Sequence, residues 1–543
     1  MDDDDVSLSE LSTRIEEDPE ESREKRLRLL LDADDEEWSE LEPAVHLQLT
    51  GALTNYSEDL GKVKGVERAI ELNEQLDVED LSEFHTAQRY YQLASEYSLR
   101  DTFSSESETR YTFFDSDDLI DSLGYSRAAV ASEDLDSLPL ERIRKSYTNF
   151  ANVLAQIGRV VEALRWYDEA LRIDPDFGMT LGNRGQCKME YASLLFTEGH
   201  TPIFLHSAYN DLVKALENSE DLHPRAEESF RYSKTRLERF SDERLAVENH
   251  EEYELGESEW DVEYHEWVLE NGLYLNPLND ISTHSSVAHD YFHLPNMLLP
   301  DDDEFPYPGI YNQVKQEFVS ARYMYFEGVE SEDDGGHFSD RGVKLPDTLD
   351  YAVYGYRTEQ MKTALRISFS IFDKIAELIN QYWDVGQREP GFNQVWHKGG
   401  DYRQGLAEPF QDSDNWALNA LYWIKKDFHH SISERDEDSV VTVAHELRNL
   451  RRMVEHDYTK VFHDDIVSSP PDREFGVVDD SLYDAIGKKE LQRAALEMLK
   501  LSRAALIYVS LAIHFEERKK REELDGEALP VAGEAMIPDH LKE

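Results

Sequence analysis

The chain has a single cysteine, Cys187, so no internal disulfide can form and no cysteine-rich zinc site can be built. Lysine is scarce, 21 residues against 35 arginines, and the 56 cations together face 115 Asp and Glu. The formal charge of −59 leaves no broad basic face, which argues against extended duplex binding, since phosphate contacts need one. No long apolar run exists either. The richest stretch, Ala504 to Phe515, is too short to span a bilayer and sits in an amphipathic pattern. The opening Met1-Asp2-Asp3-Asp4-Asp5 lacks the charged-then-apolar order of a leader. The expectation is a soluble cytoplasmic protein with no membrane partner. No GxGxxG, Walker or alternating strand–helix pattern is found, so no cofactor is expected.

Hydrophobic residues still make up 40% of the chain and aromatics 11%, enough for packed cores, so the acidity does not signify disorder. At 543 residues, two or three domains are expected. The acidic bias runs through helices, loops and termini alike. At molar salt the Debye length is about 3 Å, which screens the self-repulsion of such a surface. A halophilic source is expected.

The pattern along the chain is helical, and the fold class expected is all-α. Residues 1–40 are acidic and read as a flexible arm with one short helix near Arg26 to Leu31. Residues 41–245 read as helical repeats. The clearest unit runs from Arg144 to Phe177. Counting Arg144 as position 1, Tyr147, Ala151, Leu154, Ala163, Tyr167, Ala170 and Pro175 take positions 4, 8, 11, 20, 24, 27 and 32. That spacing resembles the tetratricopeptide consensus, in which small residues at 8, 20 and 27 let two helices approach. Gly158 serves the turn, and Leu181 and Gly185 take positions 4 and 8 of a following repeat. Weaker units fall around Leu47 to Leu76, Ser82 to Tyr97 and Ser207 to Arg239. A lone repeat cannot bury its apolar face, so neighbours are required.

Residues 246–348 read as a connector containing a helix from Tyr311 to Glu327. Residues 349–525 read as a bundle of four long helices and 526–543 as a tail. The first bundle helix carries Met361, Leu365, Ser368, Phe372, Ile375 and Ile379 at bundle spacing. Asp414 is expected to N-cap the second, which holds Trp416 to Ile424. A third is expected over Val440 to Phe462, and a fourth over Leu491 to Arg521, ending in Arg518-Lys519-Lys520-Arg521.

On so acidic a chain, the run Arg448-Asn449-Leu450-Arg451-Arg452-Met453-Val454-Glu455-His456 calls for an explanation. One is ion pairing with Glu446, Glu455 and neighbouring helices. The other is a phosphate site, with arginine as a fixed planar fork and histidine as a proton carrier near neutral pH. Arg451 and His456 lie about 140° apart on a straight helix, whereas Arg448, Arg452 and His456 share a face. A straight helix would therefore employ Arg452, and a kinked one Arg451. Elsewhere, His284, His289 and His293 with Asp290 offer a metal-hydrolase alternative that lacks a third ligand at helical spacing, and no metal is expected. His429-His430 read as a helix cap and His463 as a solvated helix exit. Trp260, Tyr264 and Trp267 either stack on bases or seal a domain junction.

The spacing Arg451, four residues, His456 resembles the Arg-x(4–6)-His motif of the HEPN superfamily. The preceding Asn415 to Asp427, the Asn271 to Asp280 segment and the Lys315 to Tyr323 helix resemble elements of a HEPN branch fused to tetratricopeptide repeats. The resemblance implies a HEPN-like four-helix bundle following the solenoid. It implies a metal-independent endoribonuclease, of a kind frequent in defence or toxin systems, acting as a homodimer through the bundle. It implies Arg451 and His456 as catalytic, with Arg448, Arg452 and Asn449 binding the RNA substrate and a protein or peptide partner read by the repeats. The alternative is a non-catalytic repeat scaffold whose bundle dimerises or binds nucleotide or RNA.

Overall fold

The computed structural model describes residues 7–17, 23–78, 81–104, 116–131, 138–197, 199–219, 222–298, 306–330, 336–346, 352–429, 458–463, 483–523, 537 and 542. Among them the fold is all-α, with one short pair of strands. They divide into two compact units. The first takes the described residues of Met1–Arg184 and Lys214–Glu227; the second takes those of Gly185–Val213, Glu228–His429 and Ala444–Glu543.

The chain opens with the short helices α1 (Leu8–Glu17), α2 (Arg23–Asp32) and α3 (Asp35–Ser39). These are not a solvated arm. Leu8, Leu11, Leu27, Leu30 and Trp38 are buried in one core with Leu49, Leu53 and Tyr56 of α4 (Pro43–Leu60). The acidic composition conceals the pattern: the apolar residues recur three apart on one face, and the acids are the wet side of the same helices. Asp34 N-caps α3, accepting from Glu36 and Glu37 backbone N–H, while Glu37 returns a bond to the cap.

Next come α5 (Val63–Glu74), α6 (Glu83–Ser104), α7 (Asp117–Ala131), α8 (Leu140–Gln156) and α9 (Val160–Ile173). From α4 to α9 each helix packs on the next in the chain, the contact pattern of helical repeats. Ala151, Ala163 and Ala170 are fully buried, as their spacing requires. Trp166 packs between Tyr147 and Phe150, with ring centroids 5.2 and 4.9 Å away. Gly158 turns the chain between α8 and α9 at φ 87°, and Arg159 N–H closes the turn on Leu154 O at 2.8 Å.

The chain continues through α10 (Gly178–Leu194), α11 (His200–Glu217), α12 (Pro224–Leu237) and α13 (Glu259–Glu270). Within the second unit, Gly185 lies against Ala208 and Leu212. A Cβ there would stand 3.0 Å from Leu212 Cγ and 3.1 Å from Ala208 O, a tight fit that glycine relieves. The core of this unit is α14 (Tyr307–Glu330), α15 (Tyr356–Tyr382), α16 (Trp416–His429) and α17 (Lys488–Glu523). Helix α14, expected in a connector, packs on both α15 and α17 through its buried stripe of Val314, Phe318, Ala321 and Tyr325.

The third bundle helix, expected to run to Phe462, is corrected at its end. Tyr458–Phe462 forms strand β1, parallel to strand β2 (Tyr483–Gly487), with Tyr458 opposite Tyr483 and Phe462 opposite Gly487. The run Tyr-Thr-Lys-Val-Phe is aromatic and β-branched, and a pairing partner decides its conformation. On its other edge β1 meets the residues before α15: Ala352 bridges antiparallel to Phe462, and Val353 N–H donates to Val461 O at 2.7 Å. Among the described residues no helix is long and apolar enough to cross a membrane.

Candidate functional site

Arg448, Asn449, Arg451, Arg452 and His456 lie outside the described residues. What the structure describes is the frame on either side of them. Upstream stands α16, buried from Trp416 to Phe428. Its N-cap is Asn415, one residue beyond the Asp414 expected: Asn415 Oδ1 accepts from Leu418 N–H at 3.1 Å. The Asn415 amide meanwhile donates to Ala512 O and to Glu516 Oε1 on α17. Asp414 instead takes the ammonium of Lys519. Near the other end of α16, Lys425 and Lys426 are buried with their ammonium groups over aromatic rings. The Lys426 Nζ lies 4.4 Å from the Trp423 centroid, a cation–π contact that offsets part of its desolvation.

Downstream, β1 begins two residues after His456 in the chain. It is held on one side by β2, which runs straight into α17, and on the other by Val353 at the start of α15. Lys362 of α15 also reaches Thr459 O at 3.5 Å. His463, expected at a helix exit, is exposed at the end of this strand.

The segments that frame the bundle are clamped by two buried arginines. Arg322 of α14 makes a two-pronged pair with Asp290, at 2.9 and 2.8 Å, and donates to Leu273 O and Tyr264 Oη. Burial would raise the Asp290 carboxyl, but the Arg322 guanidinium and the Leu275 N–H outweigh it and hold it below the usual range. Arg503 of α17 donates to Asp280 Oδ1 at 2.5 Å, to Tyr274 O and to Asn276 O. Asp280 also receives the Tyr191 hydroxyl at 3.0 Å. The Asn271 to Asp280 segment therefore owes its residue types to backbone and ion-pair geometry. Asn276 Oδ1 accepts from Leu278 N–H, and Asn279 donates to Leu269 O. Sequence reading placed Arg322 in the Lys315 to Tyr323 helix but gave neither arginine this role; Arg503 standing beside the longest apolar run was the available signal, since a cation there needs a buried acid.

The alternative candidates separate. His284 caps a short 3-10 turn, His289 packs beside Tyr253 and Tyr291, and His293 Nδ1 bonds to Leu294 O at 2.6 Å. Burial lowers the pKa of His289. Asp290, the acid next to His289 in the chain, is engaged by Arg322. Among the described residues no group of three or more His, Cys, Asp or Glu is arranged to hold a metal ion. Trp260, Tyr264 and Trp267 pack onto Tyr323, Tyr325 and Phe326 of α14, sealing α13 against it. The basic end of α17 is likewise engaged: Lys519 with Asp414, Lys520 with Glu517 and Arg521 with Asn296 O. The side chain of His429, and all of His430, fall outside the description.

Residues 299–516 match the family model described as LA2681-like HEPN. No curated protein and no solved structure matches the chain. The matched region contains α14 to α16, both strands, α17 as far as Glu516 and the whole Arg448 to His456 run, so this part of the chain is a domain of the HEPN superfamily.

Proposed function

We propose that the chain is a metal-independent endoribonuclease of HEPN type, a regulated defence or toxin effector. The observation that carries the reading is the Arg451-x4-His456 spacing inside the matched HEPN residues, between α16 and β1. HEPN domains are associated with RNA-related or nucleotide-binding roles, which supports RNA as the substrate class. In the reaction the ribose 2′-oxygen attacks the adjacent phosphorus and the bond to the 5′-oxygen breaks. The products are a 2′,3′-cyclic phosphate and a free 5′-hydroxyl. His456 moves the proton leaving the 2′-oxygen or the one reaching the 5′-oxygen, and Arg451 stabilises the charge gathering on the phosphate. Arg448, Asn449 and Arg452 bind the flanking strand.

In this reading the tetratricopeptide-like repeats of residues 41–245 sense a protein or peptide that controls the HEPN domain, which acts as a homodimer through its bundle. The acidic surface suits a salt-rich cytoplasm.

The test is cleavage of RNA by the purified protein at molar KCl, with and without chelator, for wild type and His456→Ala. The expected result is chelator-resistant cutting with cyclic-phosphate ends, reduced by about 10²- to 10⁴-fold in the variant. Undiminished cutting by His456→Ala sinks the assignment. Negligible activity in both would turn the reading to a repeat scaffold.

A further inference from the structure

In the first unit each helix from α4 to α9 packs on the next in the chain, and a series of that kind brings only neighbours together. One short segment departs from it. The turn between α11 and α12 touches the two ends of the series, the corner between α9 and α10 and the C-terminal end of α4. The chain of contacts is thereby closed into a ring.

The two attachments differ in kind. At the corner the segment is packed in. Lys214 Nζ donates to Pro175 O at 2.8 Å and pairs with Asp176 at 2.9 Å. Gly178, at the start of α10, lies against the backbone of α11. A Cβ there would stand 2.6 Å from Asn218 O and 3.1 Å from Leu222 Cδ2, so this approach needs glycine.

At α4 the attachment is polar and wet. Gly61 ends the helix at φ 64°, and the turn it makes takes Glu58 O and Ser57 O. Asp59 O accepts from Arg225 Nη2 at 3.0 Å, and Arg225 Nη1 reaches Glu58 O at 3.5 Å. A cation suits this end of a helix. The Asp59 carboxylate lies 3.1 Å from His223 Nε2 and also takes Arg23 of α2. Both His223 and Arg225 are exposed. Exposed contacts of this sort each shift an equilibrium by no more than about fivefold. These three therefore hold the segment on α4 by about a hundredfold at most, a margin that binding elsewhere can reverse.

We propose that the α11–α12 turn is a strap, anchored at the α9–α10 corner and latched to the end of α4 by His223 and Arg225, that closes the repeat array reversibly. Latched, it fixes the spread of the array. Released, it lets α4 and the corner move apart, and the changed curvature opens the array to a protein or peptide. That use rests on the partner-sensing reading of the repeats, whereas the closure does not.

The test places nitroxide labels on Lys62→Cys and Ala226→Cys in the full-length chain and reads their separation by pulsed electron resonance at molar KCl. Cys187 is buried, and burial pushes its thiol pKa up, so it takes no label. The expected result is one dominant short distance with a minor longer one. Adding His223→Gln and Arg225→Gln should raise the longer fraction by about 10-fold or more, with the circular-dichroism melt unchanged. Asp59→Asn, on the opposite side of the latch, should move it in the same direction. A single distance common to all these proteins overturns the strap and makes the turn a fixed part of the array. Two distances whose proportions ignore the latch variants overturn it as well. Either failure leaves the partner-sensing reading standing, because the labels report closure with no partner present.

Discussion

Glu96 of α6 is fully buried between α4 and α5. Asn73 Nδ2 donates to both its oxygens, at 2.8 and 3.0 Å, and Thr54 Oγ1 donates at 3.0 Å. Burial pushes its carboxyl from 4.5 up to about 7, against those hydrogen bonds and the nearby Arg89 charge. The folded state therefore holds a proton that the unfolded chain has already released between about pH 4.5 and 7. Stability from this group falls as pH rises through that window and is level above it. Glu96→Gln should remove a decline of about 3 kcal/mol, read as the wild-type-minus-variant difference in thermal unfolding at fixed KCl. Parallel curves for the two proteins would refute the assignment. Asp121 of α7, raised to about 6 by burial and neighbouring acids, contributes a decline of the same sign to both proteins. None of this was legible in the sequence, where Glu96 is one of 115 acids and nothing local distinguishes it.

At the scale of elements, the two candidate caps of α16 can be told apart. Asn415 satisfies Leu418 N–H and two groups on α17, whereas Asp414 makes one half-exposed ion pair with Lys519. Asn415→Ala is expected to destabilise by about 1–2 kcal/mol and Asp414→Ala by less than about 1 kcal/mol, in chemical unfolding at constant salt. A larger loss at Asp414 would contradict the cap. Helices were legible because their signal is long: α15 and α17 repeat apolar residues over many turns, and the Arg144 to Phe177 hairpin repeats small ones. The strand Tyr458–Phe462 was not, because five residues cannot reveal their period and the pairing partner lies elsewhere in the chain. Of the short N-terminal helices, α2 was expected near Arg26 to Leu31, but α1, α3 and the burial of all three were missed for the opposite reason, their apolar face being outweighed in composition by acids on the wet face.

For the whole molecule the governing number is the charge of −59. At about 0.1 M salt the Debye length is about 10 Å, so neighbouring carboxylates repel one another; at about 1 M it is about 3 Å. Thermal unfolding should shift upward by tens of degrees between those conditions in KCl, and the low-salt protein should expand in scattering before it unfolds. A melting temperature insensitive to KCl would remove the halophilic reading. The pairs Arg322–Asp290 and Arg503–Asp280, whose guanidinium groups are buried, are screened much less than the surface charges.

The sequence alone determined the helical class, the repeat spacing and the Arg451 to His456 motif, because each is written in residues close together in the chain. The tertiary structure decided which acids pair with Arg322 and Arg503 and where β1 finds its partners. Those outcomes depend on groups up to 223 residues apart meeting in a buried place, and no local pattern encodes such a meeting.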